Sequence, residues 1–147
     1  MKRRSFLLLV TSASALVGVA QAKSTTVEVF KSPSCGCCGG WVEHLRAAGF
    51  AVKVTDVDDT TAARKRLGMP DAFGSCHTAS VEGYVLEGHV PARDVRRLLA
   101  TKPAAIGLAV PGMPVGSPGM EVGPRQDPYQ VLLIAPNGQS TVFARYP

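Results

Sequence analysis

Apolar and polar residues alternate from Thr26 to Lys31, with Val27 and Val29 sharing one face. A period of two predicts a half-buried strand, and Ser32-Pro33 stops it. From about Cys38 to Ala48 the repeat lengthens to that of a helix: Trp41, Val42, Leu45 and Ala48 fall on one face, and Gly49 stands where a left-handed C-cap belongs. Alternation returns over Ala51 to Val57, with Val52, Val54 and Asp56 facing away from Lys53 and Thr55, and predicts a second strand. Asp58-Asp59-Thr60-Thr61 is a helix-start signal, followed by Ala62 to Leu67 and the stop Gly68-Met69-Pro70. Thr78 to Val81 and Tyr84 to Glu87 read as two strands about Glu82-Gly83. Pro91 suits the first position of a third helix, in which Val95, Leu98 and Leu99 face inward, Arg93, Arg96 and Arg97 face water, and Pro103 ends the run.

The order is βαβα followed by ββα, an α/β arrangement. Pro111 to Pro128 is dense in Gly and Pro, holds Met113 and Met120, and suits neither an ordinary helix nor a central strand. Beyond it, Tyr129 to Ala135 and Thr141 to Arg145 predict a hairpin extension across Pro136-Asn137-Gly138. There is no internal repeat, and 147 residues make one domain's worth of chain.

Charge changes the picture little. Of the net +5, Lys2, Arg3 and Arg4 supply three in a segment with the features of a cleaved leader, which leaves +2. No basic stripe with interleaved aromatics remains, so a nucleic-acid partner is not expected. The leader has a basic start, an apolar run from Phe6 to Ala20 broken by Thr11, Ser12 and Ser14, and the small-residue end Ala20-Gln21-Ala22. Cleavage is expected after Ala22, dividing the chain into a signal peptide at 1–22 and one domain at 23–147. The apolar run is short for a membrane span, so none is expected to remain after cleavage. Arg3-Arg4-Ser5-Phe6-Leu7 resembles a twin-arginine signal, with Lys2 and Leu8 departing from that pattern; the general secretory route is the alternative. Either route implies the periplasm of a Gram-negative type of cell, where disulfides form.

The candidate chemistry lies in Ser34-Cys35-Gly36-Cys37-Cys38-Gly39-Gly40-Trp41, which puts three of the four cysteines within four residues at the start of the first helix. Unpaired backbone N–H groups and the positive end of the helix dipole favour thiolates there. Thiolates ligate soft metals and attack disulfides. The βαβ plus ββα order, with a C-x-x-C spacing from Cys35 to Cys38, resembles the thioredoxin fold. That resemblance implies that the loop Ala72 to Thr78 lies against the start of the first helix and brings Cys76 and His77 alongside Cys35, Cys37 and Cys38. It also implies a cis-proline in that loop, where this sequence has Cys76-His77-Thr78. With that departure and the extra thiol of Cys37, metal binding is favoured over thiol exchange. Adjacent Cys37 and Cys38 diverge by about 100° on a helix, which suits bridging between several ions better than one tetrahedral zinc. Soft sulfur selects copper first and zinc second.

A more specific resemblance follows. Val27 through Trp41, with His44-Leu45, Gly49-Phe50, Ser75-Cys76-His77-Thr78, Glu87-Gly88-His89-Val90-Pro91 and Pro111-Gly112-Met113-Pro114, is similar to the CopG-type periplasmic copper-resistance proteins. The resemblance implies a thioredoxin-like domain whose four cysteines, Cys35, Cys37, Cys38 and Cys76, hold a tetranuclear copper cluster and interconvert Cu(I) and Cu(II). An efflux or copper oxidase protein is then the expected partner beyond copper itself.

Other readings stay open. The cysteines could form two structural disulfides, Cys35–Cys38 and Cys37–Cys76. The chain could be a thiol–disulfide oxidoreductase on exported proteins, or a copper-sequestering protein without redox work. His77 is either a ligand or a neighbour that tunes one. His44 is expected on the helix surface and His89 in the turn before Pro91, both apart from copper. Met113 and Met120 offer soft sulfur, but filling gaps beneath a loop is the commoner use. Trp41 is read as core.

Overall fold

The computed structural model describes residues 24–147; the expected signal peptide lies outside the described residues. In chain order the elements are β1 (Thr26–Lys31), α1 (Gly36–Ala47), β2 (Ala51–Asp56), α2 (Thr60–Leu67), a 3-10 turn (Asp71–Phe73), β3 (His77–Val81), β4 (Tyr84–Glu87), α3 (Ala92–Thr101), β5 (Gly107–Ala109), β6 (Tyr129–Ile134) and β7 (Ser140–Tyr146). The strands form one mixed sheet in the order β2-β1-β3-β4-β5-β6-β7. β1 runs parallel to β2 and antiparallel to β3, and β3 runs antiparallel to β4. This is the thioredoxin-like α/β core that the element order predicts, and β5, β6 and β7 extend it past β4.

The two faces of the sheet carry different helices. Val27 and Val29 of β1, Ala79 and Val81 of β3, Leu86 of β4 and Leu108 of β5 point to one side, where they meet Trp41, Val42 and Leu45 of α1 and Val95 and Leu98 of α3. Each of these large apolar side chains contributes roughly 1.5–3 kcal/mol by leaving water. The opposite side is thinner: Met69, Val85, Ala109 and Ile134 pack with Leu67 and Phe73 from the end of α2 and the 3-10 turn.

Several boundaries differ from expectation, each for a local reason. α1 starts at Gly36, two residues before the predicted start, so Cys35 is its N-cap and Cys37 and Cys38 lie in its first turn. In α2, Asp59 is the cap, its carboxylate accepting from the N–H groups of Thr61 and Ala62 at 2.8 and 3.1 Å. Pro91 is extended (ψ 140°) and caps α3 from outside, so that helix begins at Ala92. β2 is an edge strand, paired on one side only, and its Val54 remains 36% exposed. β5 was not predicted at all. It is three residues long and buried throughout, so no alternation marks it. Its pairing with β4 and β6 makes the C-terminal hairpin part of the main sheet, not an appendage.

Candidate metal centre

β1 ends one turn before α1, and β3 begins with His77 paired against Lys31. That register sets the loop preceding β3 against the start of α1, so Cys76 faces the sulfurs of the first turn. Cys35 and Cys38 form a disulfide, with Cα atoms 5.4 Å apart, and Cys37 and Cys76 are free thiols. Cys37 Sγ lies 3.4 Å from Cys35 Sγ and 3.8 Å from Cys76 Sγ. Cys38 Sγ is fully buried and 3.8 Å from the Cys76 carbonyl oxygen, a contact without a hydrogen while the disulfide is closed. The four sulfurs all lie within 4.8 Å of one another, close enough to share a metal ion. Of the two disulfides considered from sequence, one is closed and the other is a pair of neighbouring thiols. No cis peptide bond occurs among the described residues, so the loop opposite α1 lacks the thioredoxin cis-proline.

Two imidazoles adjoin the sulfurs, and one of them, His89, lies in the turn before Pro91 as expected but reaches Cys76 from there. His89 is wholly buried, and its Nε2 is 3.1 Å from Cys76 Sγ. Its Nδ1 is 2.7 Å from the Pro118 carbonyl oxygen, an acceptor only, so Nδ1 carries the proton and Nε2 offers a lone pair to the Cys76 thiol. The turn before Pro91 therefore belongs to the site. Its partners, Cys76 and Pro118, lie 13 and 29 residues away in sequence, and no local pattern joins them. His77 Nδ1 is 3.2 Å from Cys76 Sγ on the other side. With the thiol proton directed to His89, His77 donates from Nδ1, and its Nε2 is left buried with no hydrogen-bond partner. The His77 ring packs 4.4 Å from the Trp41 ring and 5.0 Å from that of His89. Cys76, His77 and His89 thus form a second group able to hold an ion, sharing one sulfur with the first.

Burial governs protonation here. Desolvation, followed by the neighbouring Cys37, pushes the Cys76 thiol up to about 12. Desolvation brings the His77 imidazole down to about 3, with His89 and Lys31 acting in the same direction. His89 is also lowered by burial, against the pull of Pro118 and Glu121. Before metal enters, Cys76 is therefore a neutral thiol flanked by neutral imidazoles. A cation replacing its proton would supply the charge that the site lacks. A soft cation suits this donor set of sulfur and neutral nitrogen, and the His77 nitrogen that faces the Cys76 sulfur is Nδ1.

The remaining predicted residues sit elsewhere. His44 is not a free surface side chain: its Nε2 accepts the N–H of Ala92 at 3.0 Å and ties α1 to the start of α3. Met113 is 52% exposed, so it fills no gap beneath the loop, whereas Met120 is half-buried. Trp41 is core, as expected, and its Nε1 donates to the Val90 carbonyl at 2.8 Å. A cavity of about 550 Å³ runs beside Pro111, Pro114, Tyr129 and Tyr146, and no cysteine lines it.

A sulfur and imidazole cluster able to hold a metal ion, at the start of the first helix of a thioredoxin-like α/β fold, defines the class of this protein. Two solved structures, named "Copper resistance protein copG", Form 2 and Form 1, superpose with TM-scores of 0.81 and 0.80 at 47% sequence identity. Each match covers 85% of this chain, and 100% and 99% of the respective solved chains. The chain belongs to the CopG family of copper resistance proteins. Residues 73–120, which carry Cys76, His77 and His89, also match a family described as "Protein of unknown function, DUF411". Among curated proteins no sequence matches. No helix among the described residues is long and apolar enough to cross a membrane.

Proposed function

We propose that this protein is an exported copper-resistance factor that holds several copper ions on Cys35, Cys37, Cys38 and Cys76 and interconverts Cu(I) and Cu(II). The observation that carries the reading is the pair of free thiols, Cys37 and Cys76, 3.8 Å apart and next to a closed Cys35–Cys38 disulfide. A plain disulfide scaffold has no use for two such thiols, and zinc, which has no redox chemistry, could neither close nor open the neighbouring bridge. Copper is the substrate. Two Cu(II) ions take one electron each from the thiolates of Cys35 and Cys38, which join as the disulfide while two Cu(I) ions form. In the reverse direction two Cu(I) ions supply the two electrons that open the disulfide. Cys37 and Cys76 remain as sulfur donors in both states. Transfer to or from an efflux or oxidase partner in the periplasm is the corresponding cellular role.

The test is copper content by elemental analysis, with X-ray absorption at the copper edge to read its oxidation state, on chain reduced and loaded without oxygen. Several Cu(I) per chain, followed by recovery of the Cys35–Cys38 disulfide when Cu(II) is added to reduced protein, supports the reading. A reduced chain that takes up no Cu(I) removes it. The closed C-x-x-C also favours a second reading, a thiol–disulfide oxidoreductase. Copper-independent turnover of a scrambled disulfide substrate would promote that reading.

A further inference from the structure

Outside the cluster, one ion pair is buried almost completely. Glu87, at the end of β4, has no exposure and Arg64 of α2 has only 7%. Their contacts converge on the loop that carries Cys76. Glu87 Oε1 accepts from Arg64 Nε at 2.9 Å and from the Ser75 N–H at 2.6 Å, while Arg64 Nη2 donates to the Ser75 carbonyl at 3.0 Å. The residue before Cys76 is thus held by both its N–H and its C=O. Glu87 Oε2 accepts from the Thr78 hydroxyl at 2.5 Å, two residues past Cys76. Arg64 reaches this position because residue 74 is Gly: a Cβ there would stand 2.9 Å from the guanidinium carbon. From Glu87 the chain passes through Gly88, whose N–H donates to the His77 carbonyl at 3.0 Å, directly to His89.

Burying two charges is costly, and apolar residues of similar volume commonly hold a fold as well. What these charges add is direction, since the carboxylate holds one residue, Ser75, at its N–H and the guanidinium holds it at its C=O. We propose that Arg64 and Glu87 are positioning residues for the metal centre, fixing the residue before Cys76 so that its sulfur meets both Cys37 and the Nε2 of His89. The consequence for copper rests on the function proposed above; the positioning of Cys76 does not.

The experiment uses the full chain, reduced and copper-free, as the natural protein, as Arg64→Met/Glu87→Leu, and as Arg64→Lys. Alkylation of each cysteine by iodoacetamide is followed by peptide mass mapping, and Cu(I) affinity is measured by competition with a bicinchoninate chelator. In the double variant Cys76 alkylates several-fold faster while Cys37 keeps its rate, and Cu(I) affinity falls by about tenfold or more, as for loss of groups that orient a ligand. Arg64→Lys keeps the charge without the fork and falls between the two. A folded double variant with natural Cys76 reactivity and natural affinity overturns the proposal, as does equal acceleration at all four cysteines, which would mean general loosening. If the double variant fails to fold, Arg64→Lys decides on the same readouts. If the natural chain binds no Cu(I), the copper reading falls while Cys76 reactivity still decides this one.

Discussion

Gly119→Ala tests how the Gly- and Pro-rich segment meets helix α1. Gly119 has φ of +85°, and a Cβ there would lie 2.5 Å from the Trp41 nitrogen, 2.6 Å from the Cys37 carbonyl oxygen and 3.0 Å from the Gly40 carbonyl carbon. All three are backbone atoms in the early turns of α1, so no side chain can swing aside. Left-handed backbone costs an alanine about 1–2 kcal/mol, and overlap with a fixed main chain adds about 1–3 kcal/mol. Gly123→Ala is the control: φ is +62° and nothing lies within 4 Å, so only the backbone cost applies. In a chain of this size 1 kcal/mol shifts Tm by about 3–5 °C, so Gly119→Ala should melt about 3–15 °C below Gly123→Ala. Relief by lifting the segment would carry off Pro118, whose carbonyl fixes His89. Cu(I) affinity should therefore fall in Gly119→Ala and hold in Gly123→Ala. Thermal unfolding of both reduced, copper-free variants checks the first expectation and chelator competition the second. Equal losses of Tm in the two would refute the close-approach argument.

Two further outcomes follow from the site. Cys76→Ser removes the sulfur shared by both ligand groups, yet its hydroxyl can still meet His77 and His89; copper bound per chain should fall clearly while stability of the metal-free form changes by no more than about 1 kcal/mol. Elemental analysis with urea unfolding measures both, and undiminished copper would contradict the assignment. In acid, the imidazoles of His44, His77 and His89 are all held below their ordinary value of 6.5, chiefly by burial, so the unfolded chain binds more protons than the folded one as pH falls below that value. Copper-free protein should lose stability from pH 7 to pH 5, at up to about 1.4 kcal/mol per pH unit for each of the fully buried His77 and His89 and by less for the half-buried His44. Urea titrations at several pH values, with His77→Asn expected to give a shallower slope, check this; stability that rises over the same range would contradict it.

The fold was legible where burial is one-sided. Val27 and Val29 alternate because one face of β1 meets α1, and Trp41, Val42 and Leu45 recur at helical spacing because one face of α1 meets the sheet. Where burial is two-sided or absent the signal fails. β5 is covered on both faces and has no period, while β2 keeps an alternating pattern that burial at the sheet edge does not match. The sulfur cluster was legible because three of its members are neighbours in sequence and the fourth lies where the thioredoxin-like resemblance puts a loop. His89 was not, since Cys76 and Pro118 reach it through β3 pairing with β4 and through the packing of a long irregular segment. Arg64 and Glu87 could be noticed from sequence only as ordinary charges on an amphipathic helix and at a strand end.

Helix α1 begins on Cys35 with no side-chain cap and no acidic residue in its first turn. Opening the Cys35–Cys38 bridge frees the sulfur at that cap, and a negative charge on it would meet a helix end that nothing else balances, at about 0.3–1 kcal/mol. For a two-electron couple, where 1.4 kcal/mol corresponds to about 30 mV, one such charge would raise the reduction potential by roughly 5–20 mV. The cap position thus makes the bridge somewhat easier to open than it would be at a helix start with its own acidic or side-chain cap.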